Sequence, residues 1–344
     1  MKSGSNSIRE VAKAAGVSIA SVSRTLSNPE QVSEKTRSLV MDAIEKTNYK
    51  INRAARNLRM HQSGEILVLV PNLGNPFFSE ILSGIEKTFQ NTYYNVLIAN
   101  SLGYDESEDL LAGHLENNHA DGIIILDGQV SPRAHSWLSQ HAAKHNVIFA
   151  CEWVDGLEQP IIRSNNAQGA ATAIRYLHSL GHRKIAHVTG PKENILTLAR
   201  SKGVTEEQAR LGLTMDPEWV VEGNFSLKSG YRAAEKILAA KNRPTCVFCD
   251  SDQMAFGLIS RFNIEGIRVP EDISVMGFDD IELSEFYVPP LTTIRQNRHG
   301  IGTAAAERML ALIKNEITSG SNQECKIEVE LVVRNSCKRI TTPK

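Results

Sequence analysis

A chain of 344 residues has room for two or three domains, and its 41% hydrophobic and 22% charged content supplies a globular core, which excludes a disordered or fibrous chain. The net charge of −1 conceals a split: residues 1–62 carry 11 Lys/Arg against 5 Asp/Glu, and residues 63–344 carry 27 against 34. A basic head that meets a polyanion and an acidic body that does not is the simplest reading, with nucleic acid the first polyanion to consider.

The N-terminus is polar and lacks the apolar stretch of a secretory signal, and no run is long enough to span a membrane, so a cytoplasmic protein is expected. Ser7 is placed to cap a helix that starts at Ile8, with Glu10 as capping-box partner. Val11, Ala14 and Ala15 fall on one face, and Gly16 ends the helix. After the turn at residues 16–18, a second short helix runs over 19–26 and stops at Asn28-Pro29. Ser33 caps a third, with apolar positions at 36–39, Val40 and Ile44. Two short helices across a tight glycine turn, completed by a third, read as a helix-turn-helix or as a plain three-helix bundle.

Residue identity favours the first. Residues 8–18 (IREVAKAAGVS) and 21–29 (SVSRTLSNP) resemble the lactose-repressor/galactose-repressor (LacI/GalR) family in nearly every signature position. The resemblance implies a DNA-binding head. The hydroxyls of Ser7, Ser18, Ser21 and Ser23 and the amides at the helix start suit phosphate contacts, with Asn28 beside them. Arg24 is long enough for a bidentate contact to guanine. Ile19 and Ala20 match the positions that choose the operator; both are apolar, able to touch a thymine methyl but not to hydrogen-bond a base edge.

Residues 48–59 resemble the family's hinge, implied to become helical when two subunits sit together on DNA. Alone it is short and basic (Lys50, Arg53, Arg56, Arg59), so it cannot nucleate a stable helix. Asn52, Arg53 and Ala55 belong to the implied DNA contacts, and Leu58 matches the leucine that wedges into the minor groove. A flexible basic linker is the alternative.

From Glu65 the pattern changes to alternating strands and helices. Strands are expected at 66–70, 95–99, 122–126, 147–150, 184–188, 220–221, 245–248 and 273–276; helices at 76–92, 107–118, 167–180, 196–213, 229–240, 254–262 and 302–313. Repeated βα units predict doubly wound parallel sheets, and 280 residues predict two Rossmann-like lobes facing a cleft, with crossings at 188–191 and 289–290. Cys246 and Cys249 form a C-x-x-C inside an apolar run; buried strand residues are expected, not a metal or redox site, and five scattered cysteines suit a reducing compartment.

The family resemblance continues through Asn75-Pro-Phe-Phe78, residues 180–185 (LGHRKI), Gly190-Pro191, residues 269–273 (VPEDI), Gly277-Phe-Asp-Asp280 and residues 289–294 (PPLTTI), in the family's order. It spans roughly residues 7–336, and residues 75–80, 279–281 and 290–294 look especially like the cytidine-repressor branch. It implies an α/β, two-lobed, periplasmic-binding-protein-like body after an all-α head. The division is 1–50 head, 51–62 hinge and 63–340 effector-binding and dimerisation domain. Ligands bind beyond the carboxyl ends of strands in such sheets. Candidates there are Phe77, Phe78, Glu152, Trp153, Arg200 (opening the family's R-x-x-G), Phe225, Ser251, Asp252 and Asp279. One departure is Asn165, where the family usually has Asp. Aromatics with Arg and Asp fit a sugar or a nucleoside, and the choice between them stays open.

No catalytic constellation is present. His141 and His145 are i,i+4 but lack a third ligand, His182 belongs to a structural signature, and no nucleophile elbow, Walker loop or dinucleotide fingerprint occurs. No metal or cofactor is expected. A solute-binding protein for transport would share the body but not the basic head. The partners expected are a pseudo-palindromic operator, a small-molecule effector and a second copy of the chain, with no membrane. The tail after Val333 has no heptad, which argues against a coiled-coil tetramer.

Overall fold

The chain divides into two compact units, residues 1–62 and 63–344. The computed structural model describes residues 7–27, 31–49, 62–101, 111, 113–115, 119–317 and 324–340. In the head, α1 (Ile8–Ala15), α2 (Ile19–Ser27) and α3 (Glu34–Thr47) each begin where a hydroxyl residue is available. Glu10 Oε2 accepts from the Ser7 N–H at 3.1 Å, completing a capping box. Ser18 Oγ accepts from the Ser21 N–H at 3.0 Å, and Ser33 Oγ from the Thr36 N–H at 3.4 Å. Gly16 takes the left-handed conformation (φ 64°) that closes α1, at little cost without a Cβ.

The head's core is Val11, Ala12, Ala15, Val22, Val40 and Ala43. Two expectations change here. Ala14 is exposed and Ala12 is buried, because the inward arc of α1 holds positions 8, 11, 12 and 15. Leu39 is 44% exposed; Val40 and Ala43 carry the core face of α3.

In the body, a six-stranded parallel sheet has the order β11-β5-β4-β3-β1-β2. Its strands are β1 (Glu65–Val70), β2 (Asn95–Asn100), β3 (Gly122–Ile125), β4 (Val147–Ala150), β5 (Ile161–Ser164) and β11 (Glu324–Ile327). A second parallel sheet, β7-β6-β8-β9, contains β6 (Ile185–Thr189), β7 (Val220–Glu222), β8 (Cys246–Cys249) and β9 (Ser274–Met276). Central strands such as β1 and β8 are apolar runs because both faces are covered. Cys246 and Cys249 are buried strand residues, and burial pushes both thiols well up. A small antiparallel pair, β10 (Thr293–Gln296) with β12 (Val329–Val332), flanks the second lobe.

Helices α4 (Phe77–Phe89) and α5 (Pro132–His141) belong to the first lobe. Helices α6 (Asn166–Ser179), α7 (Ile195–Arg210), α8 (Leu227–Ala239) and α9 (Asp252–Ile264) belong to the second. Helix α10 (Arg298–Ile313) returns to pack on α4 and on β3, β4 and β5. The helix expected at 107–118 falls largely outside the described residues.

The lobe crossings differ from the sequence expectation. The chain passes between lobes at residues 164–166, 296–298 and 327–329, where β5 leads into α6, β10 into α10, and β11 into β12. Residues 188–191 instead end β6 within the second lobe, and Pro289-Pro290 precedes β10 there. The proline and glycine signals marked turns correctly but not which turns change lobe. Asn165 stands at a crossing, its N–H on Ile327 O at 2.9 Å and its side-chain amide 3.4 Å from Glu328 Oε1.

Candidate functional site

In the head, α2 buries Val22 and Thr25, and Thr25 Oγ1 donates back to Ser21 O at 2.8 Å. With 3.6 residues per turn, positions 19, 20, 23 and 24 then share the opposite arc. Ile19, Ala20 and Arg24 are exposed on it, Ser23 is half-buried, and Ile19 is 43% exposed despite its apolar side chain. The Ser18 and Ser21 hydroxyls lie 2.9 Å apart at the start of α2, beside its first amides. Ser7 is half-buried at the start of α1. Asn28, Asn52, Arg53, Ala55 and Leu58 lie outside the described residues.

In the body, the carboxyl ends of strands from both lobes enclose a cavity of about 380 Å³. From the first lobe it is lined by Asn72, Asn75, Phe77, Phe78, Asp127, Gln129, Cys151 and Glu152; from the second by Asn194, Leu196, Arg200, Asn224, Phe225, Ser251, Gln253 and Asp279, among others. Phe77 and Phe78 open α4 and meet edge to face, with centroids 5.1 Å apart. Phe225 holds a left-handed backbone (φ 61°), as do Cys151 (72°) and Asp279 (126°), which line the same cavity. Such strain in non-glycine residues persists where surrounding structure enforces it and gathers at ligand sites. Gly190 makes room for Phe225: a Cβ there would lie 2.1 Å from the ring.

Arg200 is the buried cation of the site, 2% exposed. Its Nε donates to Asn166 Oδ1 at 2.9 Å, Nη1 donates to Asp250 O, and Nη2 lies 3.9 Å from Asp279 Oδ1. The guanidinium rests 4.0 Å from the Phe278 ring centre. Behind it, His187 Nε2 pairs with Asp250 Oδ1 at 2.7 Å, fixing the residue whose carbonyl holds Arg200. Burial pushes the Asp279 carboxyl up, while Arg200 and a 2.7 Å hydrogen bond from Gln296 Nε2 pull it down.

Among the described residues, two side-chain hydrogen bonds cross the cleft. Asn194 Nδ2 donates to Glu152 Oε2 at 3.1 Å, and Gln253 Nε2 to Asn75 Oδ1 at 3.0 Å. Arg298 also joins the lobes, donating to Asp280 O at 3.0 Å and reaching Phe77 O at 3.4 Å. Burial raises the Glu152 carboxyl to about 7, with the charge of Asp127 adding to the rise.

The cavity therefore unites Phe77, Phe78, Glu152, Arg200, Phe225, Ser251 and Asp279. Two expected residues stand apart from its lining. The Asp252 carboxylate is buried and spent on structure: it accepts from the Ile281 N–H at 2.9 Å, Ser284 Oγ at 2.7 Å and Thr293 Oγ1 at 2.6 Å. Trp153 turns its indole N–H to Asp155 Oδ1 at 2.9 Å and stacks under the Arg163 guanidinium.

Sequence reasoning missed Asn75, Asp127 and Asn194. Each follows a strand end, which was the available signal. Each is also a turn or cap residue: Asn194 Oδ1 accepts from the Leu196 N–H at 2.9 Å, and Asp127 Oδ1 from the Gln129 N–H at 2.8 Å. That local role masks the second one. His182 is structural as expected. Its ring bridges Thr245 Oγ1 and Lys338 O at 2.9 and 3.1 Å, and burial lowers its pKa to about 4. His141 stacks on Trp137, and no cluster able to hold a metal ion occurs among the described residues. No helix among them is long and apolar enough to cross a membrane.

Comparison with known proteins agrees with both units. Residues 7–52 match the family model of bacterial regulatory proteins, lacI family, and residues 174–337 match a periplasmic binding protein-like domain. The chain is 35% identical over 334 residues to the HTH-type transcriptional repressor CytR of Escherichia coli (strain K12), covering 97% of this chain and 96% of the relative. It is 35% identical over 333 residues to the HTH-type transcriptional repressor PurR of Vibrio vulnificus (strain CMCP6), covering 97% and 99%. Among solved structures it is similar to the lac repressor dimer bound to operator and the anti-inducer ONPF (TM-score 0.82, 28% identity, 96% and 99% covered). It is also similar to the complex of the transcriptional regulator CelR with cellobiose (TM-score 0.74, 27% identity, 96% and 99% covered). These relatives are regulators and not enzymes. The chain belongs to the lacI family of bacterial regulatory proteins and is a DNA-binding transcriptional repressor with an effector-binding body.

Proposed function

We propose that the exposed arc of α2 reads the operator and that the cavity between the lobes holds the effector. Residues 1–50 act as the reading head, 51–62 as hinge, and 63–340 as sensor and dimerisation domain. Ser7, Ser18, Ser21 and Ser23 position the helix on phosphates, and Arg24 makes the principal base contact. Ile19 and Ala20 add apolar contacts, and Asn28, Asn52, Arg53, Ala55 and Leu58 extend the interface. Two copies on a pseudo-palindrome double the base contacts of one short helix. Operator DNA places the protein in the cytoplasm.

The observation that carries the reading is the pairing of an outward-facing Arg24 on a capped recognition helix with a cavity whose walls join both lobes. A ligand that makes contacts on both walls favours one lobe arrangement, and by linkage it shifts operator affinity. Phe77, Phe78 and Phe225 offer apolar faces, and Arg200, Asp279, Glu152 and Ser251 offer polar partners. This combination suits a sugar or a nucleoside. CelR in complex with cellobiose supports a site of this kind.

The test is operator selection from a random duplex pool, followed by thermal-shift screening of sugars and nucleosides. A selected pseudo-palindrome whose affinity changes with a screened ligand is the expected result. Selection of no preferred sequence would contradict the reading.

A further inference from the structure

Strands β3 and β4 are hydrogen-bonded neighbours, so the residues that follow them emerge side by side at the mouth of the sheet. Those residues are Asp127 and Glu152, and both line the cavity. The Gly128 N–H donates to Glu152 Oε2 at 3.0 Å, which docks Glu152 directly against the Asp127 turn. Among the described residues, the donors given to the pair are neutral: Ser101 Oγ and the Gln129 N–H to Asp127, the Gly128 N–H and Asn194 Nδ2 to Glu152. The cavity's described lining holds three carboxyls (Asp127, Glu152, Asp279) and one guanidinium. That guanidinium sits against Asp279, with its Nε and Nη1 already donating to protein oxygens.

We propose that the Asp127–Glu152 pair sets the ligand class of the cavity. It admits uncharged or cationic ligands that turn N–H or O–H donors toward it, and it excludes phosphorylated ones. The proposal rests on this cavity being the effector site. A phosphate dianion brought beside this carboxyl pair meets repulsion from the charge the pair keeps, and Arg200, the one cation of the described walls, is already engaged by Asn166, Asp250 and Asp279. A donor edge meets the opposite field. Burial and the charge of Asp127 raise the Glu152 carboxyl to about 7, so it holds a proton over part of the neutral range, and burial raises Asp127 as well. A ligand N–H or O–H takes over the role of that proton.

Isothermal titration of the full chain against adenosine, cytidine, uridine, guanosine, ribose and glucose, each beside its phosphate monoester, tests this. At least one parent compound is expected to bind, with its ester about 100-fold weaker. Asp127→Asn and Glu152→Gln are each expected to narrow that gap about tenfold. A phosphate ester that binds wild type as tightly as its parent would overturn the proposal. So would a gap that neither variant changes, or a panel in which nothing binds. A Phe225→Ala arm separates the underlying reading: a ligand held equally by wild type and this variant sits elsewhere, which overturns the cavity assignment itself.

Discussion

The head presents its candidate functional groups to solvent, whereas the body encloses its own. In the head the interior is six small apolar residues, and the groups proposed to meet DNA, Arg24 foremost, stand in solvent. In the body the functional groups are interior: Arg200, Glu152 and Asp279 are all at least nine-tenths buried. The difference follows from the ligand. A polyanion is met by solvated cations, which displace the counterions condensed on it. A small molecule needs a desolvated pocket, and there charges must be paired or protonated. The head can thus be altered residue by residue, whereas the body's polar network responds as a unit.

The largest expected difference between the two is in salt dependence. Raising salt from 50 to 200 mM is expected to weaken operator binding about a thousandfold, as six or more phosphate contacts imply. Binding of an uncharged effector is expected to change little over the same range. Anisotropy and calorimetric titrations measure the two slopes, and equal slopes would break the contrast.

Next in size is Asp252→Ala. Its carboxylate gathers two hydroxyls and an amide from two segments, so its loss is expected to cost the body about 3 kcal/mol. Urea unfolding of the variant measures this. A variant as stable as wild type would return Asp252 to the list of candidate ligand contacts.

Arg24→Ala is expected to lower operator affinity about 10- to 100-fold, the worth of one bidentate base contact. Ile19→Ala, which removes only an apolar contact, is expected to lower it less. Equal losses on one operator would remove the assignment of Arg24 as the principal reader.

The smallest effect is a pH slope. Glu152 titrates at about 7 in the fold against 4.5 in the unfolded chain. Between those values the unfolded chain gives up the proton and the fold keeps it. The contribution of this group to stability therefore falls as pH rises from 4.5 to 7 and levels off above. The urea midpoint of wild type minus that of Glu152→Gln, followed across this range, is expected to decline. A flat difference would mean that Glu152 is not desolvated as the closed cavity implies.

Both units were readable from sequence to different depths. The head's caps at Ser7 and Ser33 and the stop at Gly16 are local features, and local chemistry decides them. The strands with apolar runs were equally visible because burial on both faces leaves a continuous signal. Strands β5, β10, β11 and β12 were not anticipated. They are four residues long, and β11 (ECKI) lies at a sheet edge with mostly exposed side chains, so no hydrophobic pattern marks it. The lobe crossings were misplaced for the same reason, since the three of them follow β5, β10 and β11. In the cavity, Arg200 and Asp279 came from a motif. Asp127 and Asn194 matter through partners 24 or more residues away or across the cleft, and sequence carries no record of that neighbourhood.

The most direct measurement is operator affinity of the full chain with and without the ligand found by calorimetry, in wild type and in Asp279→Asn. Ligand is expected to shift wild-type operator affinity about tenfold. The variant is expected to bind operator as wild type does without ligand, and to lose the shift. A ligand that binds but leaves operator affinity unchanged, or a shift that survives in Asp279→Asn, would contradict a head that reads and a body that senses through this cavity.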